Sequence, residues 1–277
     1  MQGLDGETPV PVGIFDSGVG GLSVLRAIRQ QIPAQPLLYL ADQAHVPYGP
    51  RPLEQVRLFA EGITRFLLNQ GAGLIVVACN SASAAALHSL RSTFPETPFV
   101  GMEPAVKPAV EFTRSGVVGV LATPATFQGE LYASVVERFG RNVELLQDTC
   151  PGLVAEIEEG RLEGGVTRQI LELALRPMLA RKIDTVVLGC THYPFVIPEI
   201  QRIVGSAVRV IDPAPAVARQ AERLLKEAHW LAQGDFPAAI RFLTTGQAVQ
   251  LEQHLPRLLG IQSSVEMVRW NNLQIEK

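Results

Sequence analysis

The sequence predicts an α/β fold: two pseudo-symmetric α/β domains with mainly parallel sheets and a site in the cleft between them. Three observations point there. Short apolar runs of strand length alternate with helical patterns along the chain, as in parallel sheets covered by helices on both faces. Two of those runs, LIVVACNSAS and TVVLGCTHYP, end in a cysteine followed by a small polar residue, at Cys79 and Cys190. The segments before them match as well. VGIFDSGVGG begins at Val12 and VGVLATPATF at Val118, with 66 residues from Gly13 to Cys79 and 71 from Gly119 to Cys190. A duplication in this order sets two lobes about a pseudo-twofold axis, with the carboxyl ends of their strands available for chemistry.

Taken in order, Val10–Phe15 reads as the first strand. Gly21–Gln31 reads as a helix with Leu22, Leu25 and Ile28 on one face, stopped by Pro33. Leu37–Ala41 is the second strand, and Asp42–Pro52, with three prolines and one glycine, is a shaped loop. Leu53–Gln70 is a long helix closed by Gly71 at C′. Leu74–Ala78 is the first cysteine strand and Ser81–Ser92 the helix after it. Strands follow near Phe99–Gly101, Val117–Leu121, Val143–Gln147, Thr185–Leu188 and Val208–Ile211, with helices between. Thr167 is placed to cap a helix Arg168–Ala180, and Asp212-Pro213 to cap and start the next. The tail reads as a strand near Ile240–Leu243, a helix near Gln247–Leu259 and a strand near Val265–Val268.

Composition narrows the function. At 277 residues, one large or two medium domains are expected, and 47% hydrophobic residues with a mean hydropathy of +0.18 can fill buried sheets. A net charge of −3 gives no electrostatic reason to expect nucleic acid, which would want a basic face. No run approaches the ~20 apolar residues of a membrane span. The start, MQGLDGETPVPVG, has neither a basic end nor an apolar core, so secretion is not expected, and the lead before Val10 leaves little room for a regulatory segment. Three cysteines, Cys79, Cys150 and Cys190, without CxxC spacing, read as free thiols.

Two thiols in matched contexts suggest acid/base groups facing each other across one site. Inverting a carbon centre needs that pairing: a proton leaves one face and another arrives on the opposite face. Because enantiomers have equal energy, similar bases suit both faces. A cysteine thiolate serves once its pKa falls from about 8.5 towards the operating pH. Developing negative charge also needs fixed donors, and both cysteines precede expected helix starts.

FDSGVGGLSVLR, YLADQAHVPYGPR, VVACNSASA, VGVLATPATF and VLGCTHYP together resemble the glutamate racemases, cofactor-independent amino-acid racemases of bacteria, from about Val12 to Asp212. The resemblance implies one domain of residues 1–103 with the returning segment 213–277, and a second of 104–212. It implies glutamate as substrate, D-glutamate supplied for peptidoglycan, no metal or organic cofactor, and a homodimer in the cytoplasm. By the same resemblance Cys79 and Cys190 exchange the protons, with Asp16 beside Cys79 and His192 and Glu158 beside Cys190. Ser17, Asn80, Ser81 and Thr191, with Asp16 and His192, hold the α-carboxylate and amino group, while Tyr48 and Gly49 meet the distal carboxylate.

Each residue also has a plain structural reading. A cysteine ending a strand is ordinarily a small buried hydrophobe, the reading kept for Cys150. Asp16 serves equally as a turn cap, His192 as a structural histidine and Tyr48 as a loop anchor. His45, His88, His229 and His254 read as surface or structural. Glu158 rests on aligning IEEG, which leaves Glu156 and Glu159 as alternatives. Gln43 and His45 depart from the family's hydroxyl residue and arginine, and Ser81 replaces a common threonine, leaving the choice between glutamate and aspartate less fixed. Three rival chemistries compete. A dinucleotide fingerprint fails at Ser23, where the third glycine belongs. A Cys190–His192 amidase-like hydrolase leaves Cys79 without a task. Pyridoxal phosphate finds no glycine-rich context around Lys107, Lys182, Lys226 or Lys277. An aspartate or hydantoin racemase is the nearer alternative.

Overall fold

The structure, a computed structural model, describes residues 9–234 and 237–276; the expectations about the first eight residues fall outside that range. The chain opens with β1 (Val12–Asp16), α1 (Leu22–Gln31), β2 (Leu37–Ala41) and α2 (Leu53–Asn69). It continues through β3 (Leu74–Val77), α3 (Asn80–Thr93) and β4 (Phe99–Gly101). A second series runs α4 (Val106–Phe112), β5 (Val117–Ala122), α5 (Pro124–Gln128), α6 (Glu130–Phe139) and β6 (Glu144–Asp148). It is completed by α7 (Leu153–Glu158), α8 (Gly165–Ala180), β7 (Thr185–Gly189), α9 (Ile197–Val204) and β8 (Arg209–Ile211). The last part holds α10 (Ala214–Glu227), β9 (Ile240–Thr244), α11 (Ala248–Leu259) and three short strands, β10 (Val265–Met267), β11 (Arg269–Asn271) and β12 (Gln274–Glu276).

Two parallel sheets result, with strand orders β10-β9-β2-β1-β3-β4 and β6-β5-β7-β8. Four strands of the first sheet, β2-β1-β3-β4, repeat in the second as β6-β5-β7-β8, so the duplication extends to topology. The first sheet differs by gaining β9 and β10, through which the end of the chain returns to the beginning. β1, β2, β3 and β7 are wholly buried. Continuous runs such as LIVV suit them, because helices cover both faces of a parallel sheet. One cluster of buried side chains runs through both lobes, from Ile14 and Val76 to Val186 and Leu188. A second, containing Phe15, Tyr48 and Cys79, fills the other face of the first sheet.

Local stops are as expected at Gly71, whose φ of +91° is the left-handed conformation that ends α2. Asp212 lies one residue before the N-cap, which is Pro213 rather than the expected Asp212, and its Oδ1 accepts from the Ala214 amide at 2.9 Å. Thr167 does not cap its helix. α8 starts three residues before the expected Arg168, at Gly165, after Gly164 at φ +96°, and the Thr167 hydroxyl donates instead to the Arg161 carbonyl at 2.7 Å. The two cysteine turns also differ. Cys79 is the N-cap of the 14-residue α3, one residue closer to the helix than expected. Cys190 leads through a turn into a 3₁₀ segment, Tyr193–Val196, before α9. Pro194 and Pro198 limit the hydrogen-bonded helix that can form there.

Candidate active site

Strand ends from both lobes meet around a cavity of about 300 Å³. Ser17, Tyr48, Gly49, Cys79, Asn80 and Ser81 line it from the first lobe. Thr123, Thr149, Cys150, Cys190, Thr191 and His192 line it from the second. Both thiols of the duplicated motifs therefore open on one space. Neither is disulfide-bonded.

On the first side, Cys79 is held where β3 hands over to α3. Burial pushes its thiol well above the usual value. The Asp16 carboxylate and Cys190 act in the same direction, and the Ala82 and Ser17 amides oppose them. Asp16 lies behind the cavity wall. Its Oδ2 accepts from the Gly18 amide at 2.9 Å and its Oδ1 from the Thr191 hydroxyl at 3.0 Å. Burial raises the Asp16 carboxyl, opposed by His192 and the Gly18 amide. Asn80 is buried on the wall, and among the described residues neither atom of its amide has a hydrogen-bond partner.

On the second side, Cys190 Sγ lies 3.7 Å from His192 Nδ1. His192 Nε2 in turn meets Glu158 Oε1 at 2.6 Å. Burial disfavours charge on His192, but Cys190 and Glu158 outweigh it and raise the imidazole well above 6.5. Burial also works against the Glu158 carboxylate, yet His192 and the Val19 amide hold it below its ordinary value. The sequence alternatives separate cleanly, since Glu156 and Glu159 both pair with the exposed Arg161 and Glu158 alone turns inward.

The glycine-rich turn after β1 serves the approach of the lobes. The Val19 amide donates to Glu158 at 2.8 Å across the cleft. A Cβ at Gly18 would overlap the Glu158 carboxylate, and one at Gly20 would overlap the His192 ring. The Gly18 and Val19 amides, which a pyrophosphate would need, are thus taken by Asp16 and Glu158. Other bridges join Ser81 Oγ to Thr123 Oγ1 at 2.9 Å and the Ala125 amide to the Gly49 carbonyl at 3.1 Å.

Residues 13–221 match the family model described as Asp/Glu/hydantoin racemase. The chain belongs to that family. Among its Asp/Glu/hydantoin racemase relatives is the glutamate racemase of Pseudomonas paraeruginosa, 51% identical over 255 residues, 92% of this chain and 96% of that one. The glutamate racemase isoform RacE1 of Bacillus anthracis superposes with a TM-score of 0.85 at 32% identity, covering 95% and 98% of the two chains. The Escherichia coli glutamate racemase, solved with L-glutamate and the activator UDP-MurNAc-ala, gives 0.84 at 31% identity, covering 96% and 100%.

Within this racemase-family fold, nine of the eleven residues singled out from sequence line the cavity; Asp16 and Glu158 stand directly behind it. Tyr48 is on the wall, but its hydroxyl donates to Asp42 Oδ2 at 2.6 Å. Thr123 also lines the cavity, beyond the residues expected from sequence. It occupies the place in VGVLATPATF that Ser17 holds in VGIFDSGVGG, so the repeat itself was the signal.

Proposed function

We propose that this chain interconverts L- and D-glutamate without a cofactor and supplies D-glutamate for peptidoglycan. The observation that supports this best is that Cys79 and Cys190 reach the same cavity from opposite lobes. One thiolate removes the Cα proton, the electron pair is held as an enediolate on the α-carboxylate, and the opposite thiol delivers its proton to the other face. The first sulfur ends protonated and the second as thiolate. After one turnover the pair is set for the reverse direction. Asn80, Ser81, Ser17 and Thr191 receive the α-carboxylate and amino group, and fixed donors there lower the cost of the developing charge.

In this reading Cys79 abstracts from D-glutamate and Cys190 from L-glutamate, as the family resemblance implies. His192 touches Cys190 and moves its proton. Asp16 and Glu158 are positioning residues, holding Thr191 and His192. The Tyr48–Gly49 wall meets the distal carboxylate with its backbone, because the Tyr48 hydroxyl is engaged by Asp42. The domains are 1–103 with 213–277, and 104–212, and the enzyme works as a homodimer in the cytoplasm. Among the described residues no helix is long and apolar enough to cross a membrane.

Circular dichroism of L- and D-glutamate, and of both aspartates, tests this reading without added pyridoxal phosphate, nucleotide or metal. Loss of glutamate optical activity with solvent deuterium entering Cα, undiminished by a chelator, is the expected result. Turnover of aspartate alone, or activity lost to the chelator and restored by metal, overturns it.

A further inference from the structure

The C-terminal hairpin formed by β11 and β12 lies far along the chain from the residues that line the cavity, yet it reaches one of their supports. Asp42, at the end of β2, is completely buried, and its carboxylate gathers donors from two distant parts of the chain. From the loop come the Tyr48 hydroxyl at 2.6 Å and His45 Nδ1 at 2.9 Å. From the C-terminal segment come the Thr245 hydroxyl and the Trp270 indole N–H, both to Oδ1 at 2.7 Å. We propose that Trp270 and Thr245, acting through Asp42, position the Tyr48–Gly49 wall of the cavity, so that the end of the chain is part of the substrate-binding apparatus. This rests on the reading of the cavity as a glutamate site.

The hairpin is built to deliver that indole. α2 carries a glycine in its interior, Gly62, where a Cβ would come within 2.8 Å of the Trp270 ring and 2.6 Å of the Leu273 carbonyl. Glycine weakens a helix interior, and here it opens the seat in which Trp270 lies. The ring then packs with its centroid 5.7 Å from Phe59 and 5.3 Å from His45, while His45 stacks on Phe59 at 3.9 Å. Val268 and Ile275, on either side, are buried in the same cluster as Tyr48 and Cys79. At its other end the loop passes the restraint onward, because the Gly49 carbonyl accepts from the Ala125 amide of the second lobe. One buried carboxylate thus connects hairpin, cavity wall and opposite lobe.

His45 belongs to this arrangement too. A planar imidazole, stacked on Phe59 and hydrogen-bonded through Nδ1 to Asp42, stands where the family resemblance expects an arginine, so this chain's loop is held by its own aromatic set.

Trp270→Phe keeps most of the ring and removes the N–H, and Thr245→Val keeps the shape of its side chain and removes the hydroxyl. Neither residue lines the cavity. Each is expected to raise KM for both glutamate enantiomers about 3- to 10-fold while kcat changes less than about 2-fold, the pattern of lost uniform binding. In a Tyr48→Phe background, Trp270→Phe should add less than about 2-fold, because the two act through one carboxylate. Hydrogen–deuterium exchange of residues 42–52 should speed up in both variants with no substrate present. Unchanged KM with unchanged loop exchange overturns the proposal, as does a fall in kcat at constant KM. If Trp270→Phe fails to fold, Thr245→Val alone decides. If the unaltered chain turns over neither glutamate enantiomer, the glutamate reading fails, and the exchange measurement still judges the positioning role.

Discussion

The two thiols stand at equivalent places in duplicated lobes, but their surroundings are unlike. Cys79 is the N-cap residue of a full α-helix, where the Ser17 and Ala82 amides oppose the upward push that burial and the Asp16 carboxylate give its thiol. Cys190 opens a 3₁₀ turn and touches an imidazole that is itself held by a carboxylate. One sulfur is served by backbone dipoles and the other by an ion pair. The duplicated lobes place two thiols on one cavity, and the surroundings of each differ. A reaction whose two directions are equal in energy can therefore be run by two unequal half-sites.

The largest expected effect is loss of either sulfur. Cys79→Ser and Cys190→Ser should each reduce racemisation by about 10³-fold or more, because a hydroxyl is a far poorer acid and base near neutral pH. A substrate analogue with a β leaving group needs only one abstraction. Cys79→Ser should still eliminate from the L-analogue and Cys190→Ser from the D-analogue. Near-normal racemisation by one mutant, or the same enantiomer favoured by both, removes the two-base assignment.

Next comes the ion pair of the second side. Glu158→Gln should slow abstraction from L-glutamate by about 10- to 100-fold, at or below the low end for a direct acid/base group. It should also move the basic limb of that direction's pH profile to lower pH, since Glu158 helps to raise His192. Stability carries the same signature. The raised His192 contributes stability in full below 6.5, lost as pH climbs through its folded value. Glu158, held low, contributes above 4.5 and loses that contribution as pH falls through its folded value. Denaturation midpoints from pH 4 to 9 should flatten in His192→Asn with Glu158→Gln. An unchanged pH dependence contradicts the pair.

A smaller effect is expected where the halves touch. Gly20→Ala places a methyl against His192 and within 2.7 Å of Thr191 Oγ1. Overpacking of this kind costs about 1–3 kcal/mol, and activity should fall about 10-fold through displaced Cys190 chemistry. Gly49→Ala, with its Cβ 2.9 Å from that of Thr123, should act more mildly. A thermal melt beside steady-state rates reads both. The least effect belongs to Glu156→Gln and Glu159→Gln, which break only contacts with the exposed Arg161. Rates altered more than about 2-fold there reopen the choice of Glu158.

Much of this asymmetry was hidden in a sequence whose symmetry was plain. Strand periodicity, Gly71 and the paired cysteines report local or repeated chemistry, and the strand order of the two sheets agrees with them. Thr167 misled because a hydroxyl near a helix start has more than one acceptor within reach, and the Arg161 carbonyl took it. Glu158 could not be told from Glu156 by pattern, since two residues along a helix rotate the side chain to another face. Asp42 was harder still. Its donors Thr245 and Trp270 are more than 200 residues away, and nothing local marks a carboxylate that distant residues will enclose.

Glu158 Oε1 is shared between a backbone amide of one lobe and an imidazole of the other. Were the lobes to part and withdraw the Val19 amide, Glu158 would lose a donor, and a carboxylate that loses a donor grips a proton more firmly. The spacing of the two lobes is therefore tied to the ionisation of Glu158 through a single backbone amide.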